Sequence, residues 1–353
     1  MTQTKLIILA VLLMGFINTA HAQSTPTEFA ELSLEDLLNV NIQDSEYGDP
    51  NFKQWSVAYQ FKVAEFEGYL DGDTKLSRDE VLFSPGLEER TNNNFPVVPT
   101  VIDQYAHILR VGYHVSNNLQ VAISIPYIIQ ETDHISSVEG FERFLLRSEG
   151  LGDTVLSTSY KLFSNDVYNW QISGGISFPT GSIDEEGDTP RGPGDQQLPY
   201  TMQLGSGTFD FPLSLGFETK GEHSLSVNLS AMLRTGRNDR NYRLGNNYDI
   251  RTRYNYRASE ALSAFAGLEI GYSEAIHGQD DELIVAGDFP YPASITNPAL
   301  FGGKKISINT GLSWKASNSF KLSGDFSRPV YQNLNGPQIR ELWRAGIQLS
   351  ILY

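Results

Sequence analysis

Apolar and polar side chains alternate along most of this chain with a period of two residues. In the last segment, one face carries apolar residues and the other carries polar residues or glycine: Trp343, Ala345, Ile347, Leu349, Ile351 and Tyr353 against Arg344, Gly346, Gln348 and Ser350. A two-residue period predicts a β-strand. A strand with an apolar outer face and a terminal aromatic ring is typical of the closing strand of a bacterial outer-membrane barrel.

Further segments of the same kind precede it. They lie at residues 54–69, 101–115, 119–131, 152–163, 168–179, 208–218, 224–234, 248–258, 261–274, 304–316, 319–331 and 339–353. Their connections alternate in length, with the long ones at 70–100, 132–151, 180–207, 235–247, 275–303 and 332–338. Short periplasmic turns, long outer loops and an even strand count are the outer-membrane pattern. We therefore expect an all-β fold, a transmembrane antiparallel β-barrel of about 12 strands.

A soluble β-sandwich is the competing fold, because its strands also alternate. The aromatic residues favour the barrel, since they lie at or near strand ends on the apolar face: Trp55, Tyr105, Tyr113, Trp170, Phe178, Tyr248, Tyr256, Tyr272, Trp314, Trp343 and Tyr353. Two interfacial girdles of a membrane barrel need aromatic residues at these positions.

The start of the chain indicates the same compartment. Lys5, an apolar run over residues 6–20 and a small-x-small site ending at Ala22 predict a signal peptide over residues 1–22, cleaved after export through the inner membrane. Residues 23–52 form an N-terminal segment in which Leu34, Leu37 and Leu38 predict a short amphipathic helix, either lumenal or periplasmic. Residues 53–353 are the predicted barrel, and we expect a Gram-negative outer-membrane location.

Composition removes several classes of function. The chain has no cysteine, so disulfides and thiolate metal sites are excluded. A formal net charge of −16 argues against nucleic-acid binding. The long loops are rich in carboxylates, which either bridge divalent cations to lipopolysaccharide phosphates or simply keep the outer surface solvated.

The polar faces of the predicted strands carry an excess of cations. The candidate lumen-lining residues are Arg110, Asp210, Arg234, Arg251, Arg253, Glu269, Lys305 and Arg344. A narrow lumen lined in this way either attracts anions or is fixed by internal ion pairs. The sequence leaves both readings open.

We find no constellation that predicts catalysis, a metal site or a cofactor. Catalysis needs a nucleophile, a base and an orienting partner that converge in space. The retained histidines lack such a context in the sequence, and an enzyme becomes credible only if His134 or His277 lies beside loop carboxylates in the fold.

One motif is more specific than composition. Residues 150–153 read GLGD, residues 179–181 read PTG, and LPYTMQLGSGTFD follows at residues 198–210. This run resembles the outer-membrane transporters named after the MetA pathway of phenol degradation. The resemblance implies a transporter-like barrel whose loop 180–207 folds at or into the mouth and gates entry, with Tyr200, Met202 and Gln203 as candidate contacts for the solute. The candidate gating-loop residues are Pro179, Gly181, Tyr200, Met202, Gln203, Gly205 and Gly207.

These observations predict a porin-like outer-membrane channel for passive passage of small solutes, including aromatic or amphipathic ones. The alternatives are a barrel enzyme acting on lipid or peptide at the cell surface and a sealed structural or adhesive barrel. The expected partners are outer-membrane lipid and lipopolysaccharide, the barrel-assembly machinery through the strand that ends at Tyr353, and a small-molecule solute.

Overall fold

The computed structural model describes residues 54–353, so the predicted signal peptide and N-terminal helix lie outside the described residues. The strands and the one α-helix are β1 (Trp55–Gly72), β2 (Thr74–Leu76), α1 (Arg78–Val81), β3 (Val97–His114), β4 (Leu119–Ser136), β5 (Arg143–Leu151), β6 (Thr154–Ser164), β7 (Tyr168–Phe178), β8 (Glu186–Asp188), β9 (Asp195–Gln197), β10 (Asp210–Thr219), β11 (His223–Arg234), β12 (Tyr242–Arg243), β13 (Asn247–Arg257), β14 (Leu262–Ser273), β15 (His277–Gly278), β16 (Gly303–Ser317) and β17 (Phe320–Leu352). Single-turn 3-10 helices occupy Tyr200–Met202, Asp281–Leu283, Ser294–Thr296 and Pro298–Leu300. No helix in this part of the chain is long and apolar enough to cross a membrane.

The strands close into an antiparallel barrel. Their order around the wall is β1, β3, β4, β6, β7, β10, β11, β13, β14, β16 and β17, and β17 pairs back to β1. β17 crosses twice, because its first arm pairs with β16 and its second with β1, both antiparallel. The two ends of β17 meet where the Leu352 amide donates to the Ser319 carbonyl oxygen at 2.9 Å. Counting both arms, the wall has twelve crossings, which confirms the predicted barrel.

Short and long connections alternate around the barrel as predicted. One end carries the turns at residues 115–118, 165–167, 220–222, 258–261 and 318–319, and the long loops lie at the other end. By the outer-membrane rule, the short-turn end is periplasmic. The prediction of a loop over residues 132–151 is wrong, because β4 continues to Ser136 and β5 returns beside it. Charged residues on the outer face of this hairpin, Arg147 and Glu149 among them, hide its alternation. The prediction of a long connection over residues 332–338 is wrong as well, because β17 continues through it.

The outer wall is an apolar belt. Large side chains on alternate positions point away from the lumen and are about half exposed, among them Leu109, Ile172, Leu229, Leu268, Ile308 and Ile347. A continuous apolar surface of this size is unfavourable in water, so the belt is the part of the wall that faces lipid.

Carboxylates mark where the belt ends on the loop side. Glu65 pairs with Asp103 across β1 and β3, and Asp103 pairs with Glu131 across β3 and β4. Glu131 accepts from Arg147 of β5 at 2.6 Å. Charged groups are expensive in hydrocarbon, so this row lies above the bilayer core. The upper parts of these strands therefore project beyond the membrane.

Buried apolar side chains are concentrated inside the loop end of the barrel. One cluster joins upper wall residues such as Phe66 and Ile102 to Leu334 and Ile339. Two further clusters consist largely of loop residues: Tyr200, Tyr242, Ile276, Leu283, Ile295 and Phe301 in one, and Leu146, Leu198 and Met202 in the other. The long loops thus fold inward and pack against the wall, and together these inward-folded segments form what we call the loop plug.

Candidate functional site

A large cavity occupies the periplasmic half of the barrel. Its volume is about 1020 Å³, and its lining runs from the periplasmic turns up to Lys62, Glu269 and Arg344 on the inner wall. Lys220, Glu260 and Asn318 belong to three of those turns, so the cavity opens at the periplasmic mouth. We call this space the vestibule. Its size is that of a site for a small molecule.

Buried charges of alternating sign lie where the vestibule meets the upper barrel. Glu269 accepts from Arg251 Nε at 3.0 Å and from Arg344 Nη2 at 2.8 Å. Arg344 Nε lies 3.6 Å from Glu341 Oε1, and Lys305 Nζ donates to Glu341 Oε2 at 2.5 Å. Every side chain in this charge ladder is at most 10% exposed. The ladder links β13, β14, β16 and β17, which are neighbours in the wall, along one side of the lumen.

Tyr200 is the centre of the loop plug. Its ring contacts Tyr242 and Phe301 edge-on, with centroids 4.8 Å and 5.6 Å apart. Its hydroxyl oxygen accepts from the backbone amide of Asp280 at 3.0 Å. Burial raises the pKa of the Tyr200 phenol, so the hydroxyl stays protonated at neutral pH. One side chain therefore joins the loops that follow β7, β11 and β14.

Arg240 forms ion pairs that join the same loops, and we call this set of contacts the clamp. Its guanidinium reaches Asp184 at 2.7 Å, Glu282 at 3.0 Å and Asp280 at 3.3 Å. Asp184 and Glu282 are largely exposed, so those two pairs contribute little. The Asp280 side chain is only 4% exposed, and burial raises the pKa of its carboxyl. The contact with Asp280 is the one that holds the clamp.

The motif residues converge on Asp153. The Gly181 amide donates to Asp153 Oδ1 at 2.9 Å, and the Ser206 amide and hydroxyl both donate to Oδ2 at 2.8 Å. A side chain on Gly181 would meet the Leu204 carbonyl oxygen at 2.5 Å, and one on Gly205 would meet Asp153 Oδ1 at 2.6 Å. Asp153 thus ties both ends of the loop after β7 to the β5–β6 junction, which gives the GLGD and PTG sequences a structural role.

Removing this carboxylate is expected to release the loop. In Asp153→Ala, the partly buried amides of Gly181 and Ser206 lose a charged acceptor, and each such bond contributes about 1.5–3 kcal/mol. Trypsin cleavage after Arg191 should then be at least roughly tenfold faster, measured by the fragment that ends there. Asp166→Ala, in an exposed periplasmic turn, is the matched control. An unchanged rate would show that Asp153 does not anchor the loop.

The structure places all eight lumen-lining candidates on the inner face. Arg251, Glu269, Lys305 and Arg344 belong to the charge ladder, and Arg253 lines the vestibule. Asp210 and Arg234 form a separate buried pair, 2.8 Å apart, beside the loop plug. Arg110 donates to Ser124 Oγ at 3.4 Å. Their roles in passage of a solute stay predictions.

The gating-loop candidates lie within the plug rather than at an open mouth. Met202 and Gln203 are buried: the Met202 carbonyl oxygen accepts from Ser148, and the Gln203 carbonyl oxygen accepts from Gln130. Tyr200 is buried as well. Gly207 adopts a φ of 68° that favours glycine, and Pro179 follows the end of β7. In this conformation Tyr200, Met202 and Gln203 contact protein, so a solute reaches them only if the loop moves.

Sequence reasoning missed Lys62, Glu341, Arg240 and Asp153 as site residues. Lys62 follows Gln60 on the polar face of β1, so parity could have found it. Asp153 stood within the motif. Arg240 gave no signal, because its partners belong to distant loops.

The contacts of the two candidate histidines do not favour an enzyme. His134 stacks on Phe144 at 4.6 Å, and its Nδ1 contacts the Thr132 carbonyl. His277 Nε2 lies 3.4 Å from Glu274, which follows β14, so the histidine–carboxylate contact named as a condition for an enzyme is present here. Neither contact includes a nucleophile. Across residues 54–353, no group of three or more His, Cys, Asp or Glu side chains is placed to hold a metal ion.

A closed antiparallel barrel with an apolar belt, a polar lumen and inward-folded outer loops defines an outer-membrane barrel of the channel type. A family model described as "Putative MetA-pathway of phenol degradation" matches residues 142–329, more than half of the chain. The chain belongs to this family. The predicted family is thereby confirmed.

Comparison with solved structures gives matches at low sequence identity. An outer-membrane channel from Pseudomonas putida F1, of the group COG4313, is similar at a TM-score of 0.56 and 11% identity, over 88% of this chain and 100% of that one. A TodX monoaromatic hydrocarbon channel mutant gives a TM-score of 0.44 and 10% identity, over 86% of this chain and 91% of that one. The KdgM porin gives 0.39 and 10%, over 84% and 99%. No curated protein matches the sequence.

Proposed function

We propose that the protein is a passive channel that carries small solutes across the outer membrane, gated by the loop plug. The observation that carries this proposal is the vestibule, a cavity of about 1020 Å³ inside a barrel and open at the periplasmic mouth. A barrel that served only as a scaffold would gain nothing from such a space. The family assignment supports the same function.

Passage requires two local changes. The charge ladder must let a solute through between Arg251, Glu269 and Arg344, and the plug around Tyr200 must move away from the wall. The charge ladder is held by side-chain contacts, and the plug by side-chain contacts and by short pairings such as that of β12 with β15. Neither belongs to the strand pairing of the wall, so the barrel can stay closed while they rearrange. Aromatic or amphipathic solutes, the class predicted from the sequence, fit the vestibule by size.

The test is single-channel recording of the folded protein in planar bilayers. Stable conductance steps, present only when folding is verified by heat-modifiable migration, are the expected result. Folded protein that gives no steps at any applied voltage would overturn the proposal and favour a sealed scaffold.

The compartment makes a second expectation. The signal sequence over residues 1–22 should be removed on export, and N-terminal sequencing of the outer-membrane protein should begin at Gln23. The apolar belt would contact lipid and lipopolysaccharide, and the strand ending at Tyr353 would engage the barrel-assembly machinery.

A further inference from the structure

The charge of the vestibule is opposite to that of the whole chain. Nine Lys and Arg side chains and five Asp and Glu side chains line it, although the protein carries a net charge of −16. Three of those five carboxylates, Glu218, Glu222 and Glu260, are exposed residues at the periplasmic rim. Two of the nine cations, Lys220 and Arg257, are exposed at the same rim, so seven cations and two carboxylates, Glu269 and Asp325, line the rest of the vestibule. Confinement in a lumen concentrates such a field.

Strand register places two of these cations close to the lumen and to each other. Arg253 of β13 stands directly opposite Ser226 of β11 and Gly267 of β14. Lys315 and Lys321 face each other directly across the β16–β17 turn. Like charges opposite one another cost stability, so this pair concentrates positive charge near the mouth at the expense of the fold.

An apolar surface accompanies the cations. Phe265 is an aromatic residue that lines the vestibule. Its neighbours on the adjacent strands are Asn255, which also lines the vestibule, and Gly311. The Arg253 guanidinium lies 4.4 Å from the centroid of its ring. A ring held beside a guanidinium offers apolar contact and charge within one small area.

From this arrangement we infer that the vestibule selects small organic anions, and that a carboxylate with an apolar body is its preferred solute. The carboxylate would accept hydrogen bonds from Arg253, and its apolar part would lie against Phe265. The inference rests on the proposed channel function and specifies its substrate class. A guanidinium matches a carboxylate in geometry as well as in charge.

Two measurements on the full protein test the inference separately from the channel function. The first is binding of benzoate, benzyl alcohol and benzylammonium, which share size but differ in charge, to detergent-solubilised protein by calorimetry. Benzoate should bind at least roughly tenfold tighter than the other two, as one charge-assisted hydrogen bond predicts. The second is the reversal potential under a KCl gradient, where chloride should be preferred.

Variants sharpen both readings. Arg253→Gln should weaken benzoate binding about tenfold, and Asp325→Asn should strengthen chloride preference. Arg143→Gln, an exposed arginine at the start of β5, removes the same charge outside the lumen and should change neither value. Equal binding of the three probes, or potassium preference, would overturn the anion inference while leaving a conducting channel intact. Benzoate binding without conductance would instead overturn the channel function alone.

Discussion

Glu269→Ala is expected to destabilise the barrel and to widen the lumen at the charge ladder. Glu269 accepts from both Arg251 and Arg344, and its side chain is only 6% exposed. Removing one member of a buried ion pair leaves uncompensated charge and costs about 3–5 kcal/mol. Heat-modifiable migration should therefore change at a lower temperature. Single-channel conductance and chloride preference should both rise, because Arg251 and Arg344 lose their shared carboxylate and the lumen wall becomes more positive.

Two further variants separate charge from size. Glu269→Gln keeps the volume and removes the charge, so it should retain most of the conductance increase with a smaller loss of stability. Glu149→Ala breaks an exposed ion pair with Arg147, and such pairs contribute about 0–1 kcal/mol. It should migrate like the native protein. Wild-type conductance in Glu269→Ala would show that the charge ladder does not limit conductance.

The strands could be predicted from sequence because lipid and lumen impose opposite polarity on alternate residues. That rule is local, and it holds wherever the ladder is regular. Glu341 shows where it fails. Trp343 and Ala345 face lipid, so parity puts Glu341 on the same face, yet the register shifts between Glu65 and Phe66 on the partner strand. This bulge turns Glu341 inward, where it contacts Lys305 and completes the charge ladder.

The family resemblance predicted that loop 180–207 folds at or into the mouth, but the contacts of the loop plug could not be predicted, because they join residues far apart in sequence. Tyr200 and Asp280 come from different loops and meet only after the barrel closes. One signal was present nevertheless. The segments predicted as long outer loops contain several apolar residues: Leu198, Met202, Leu283, Ile295 and Phe301. Apolar residues in long loops of a barrel indicate that those loops fold inward.

The inward-facing charges agree with both predictions made for the lumen, that it attracts anions and that it is fixed by internal ion pairs. Near the middle of the lumen, Arg251, Lys305 and Arg344 are engaged in the charge ladder with Glu269 and Glu341. Closer to the periplasm, the wall cations border open space. A packed, ion-paired interior and an anion-attracting vestibule thus occupy different depths of one barrel, and parity alone carries no information about depth.

Tyr200→Ala is expected to release the loop plug. The ring is buried between Tyr242 and Phe301, and truncating a buried aromatic to alanine costs about 3–5 kcal/mol. Since the ring packs loop against loop, most of that cost should fall on the plug and little on strand pairing. Single-channel recordings should show longer openings, and trypsin should cleave after Arg191 faster than in the native protein.

A graded series identifies the hydroxyl and the ring separately. Tyr200→Phe keeps the ring and removes only the acceptor for the buried Asp280 amide, a loss of about 1–3 kcal/mol, so its openings should be intermediate. Leu87→Ala removes a side chain that is 88% exposed in another outer loop and should behave as wild type. If Tyr200→Ala and Leu87→Ala gave the same open times and cleavage rates, the plug would not be the gate. Open times that decrease from Tyr200→Ala through Tyr200→Phe to the native protein would establish that packing around this one residue keeps the outer mouth closed.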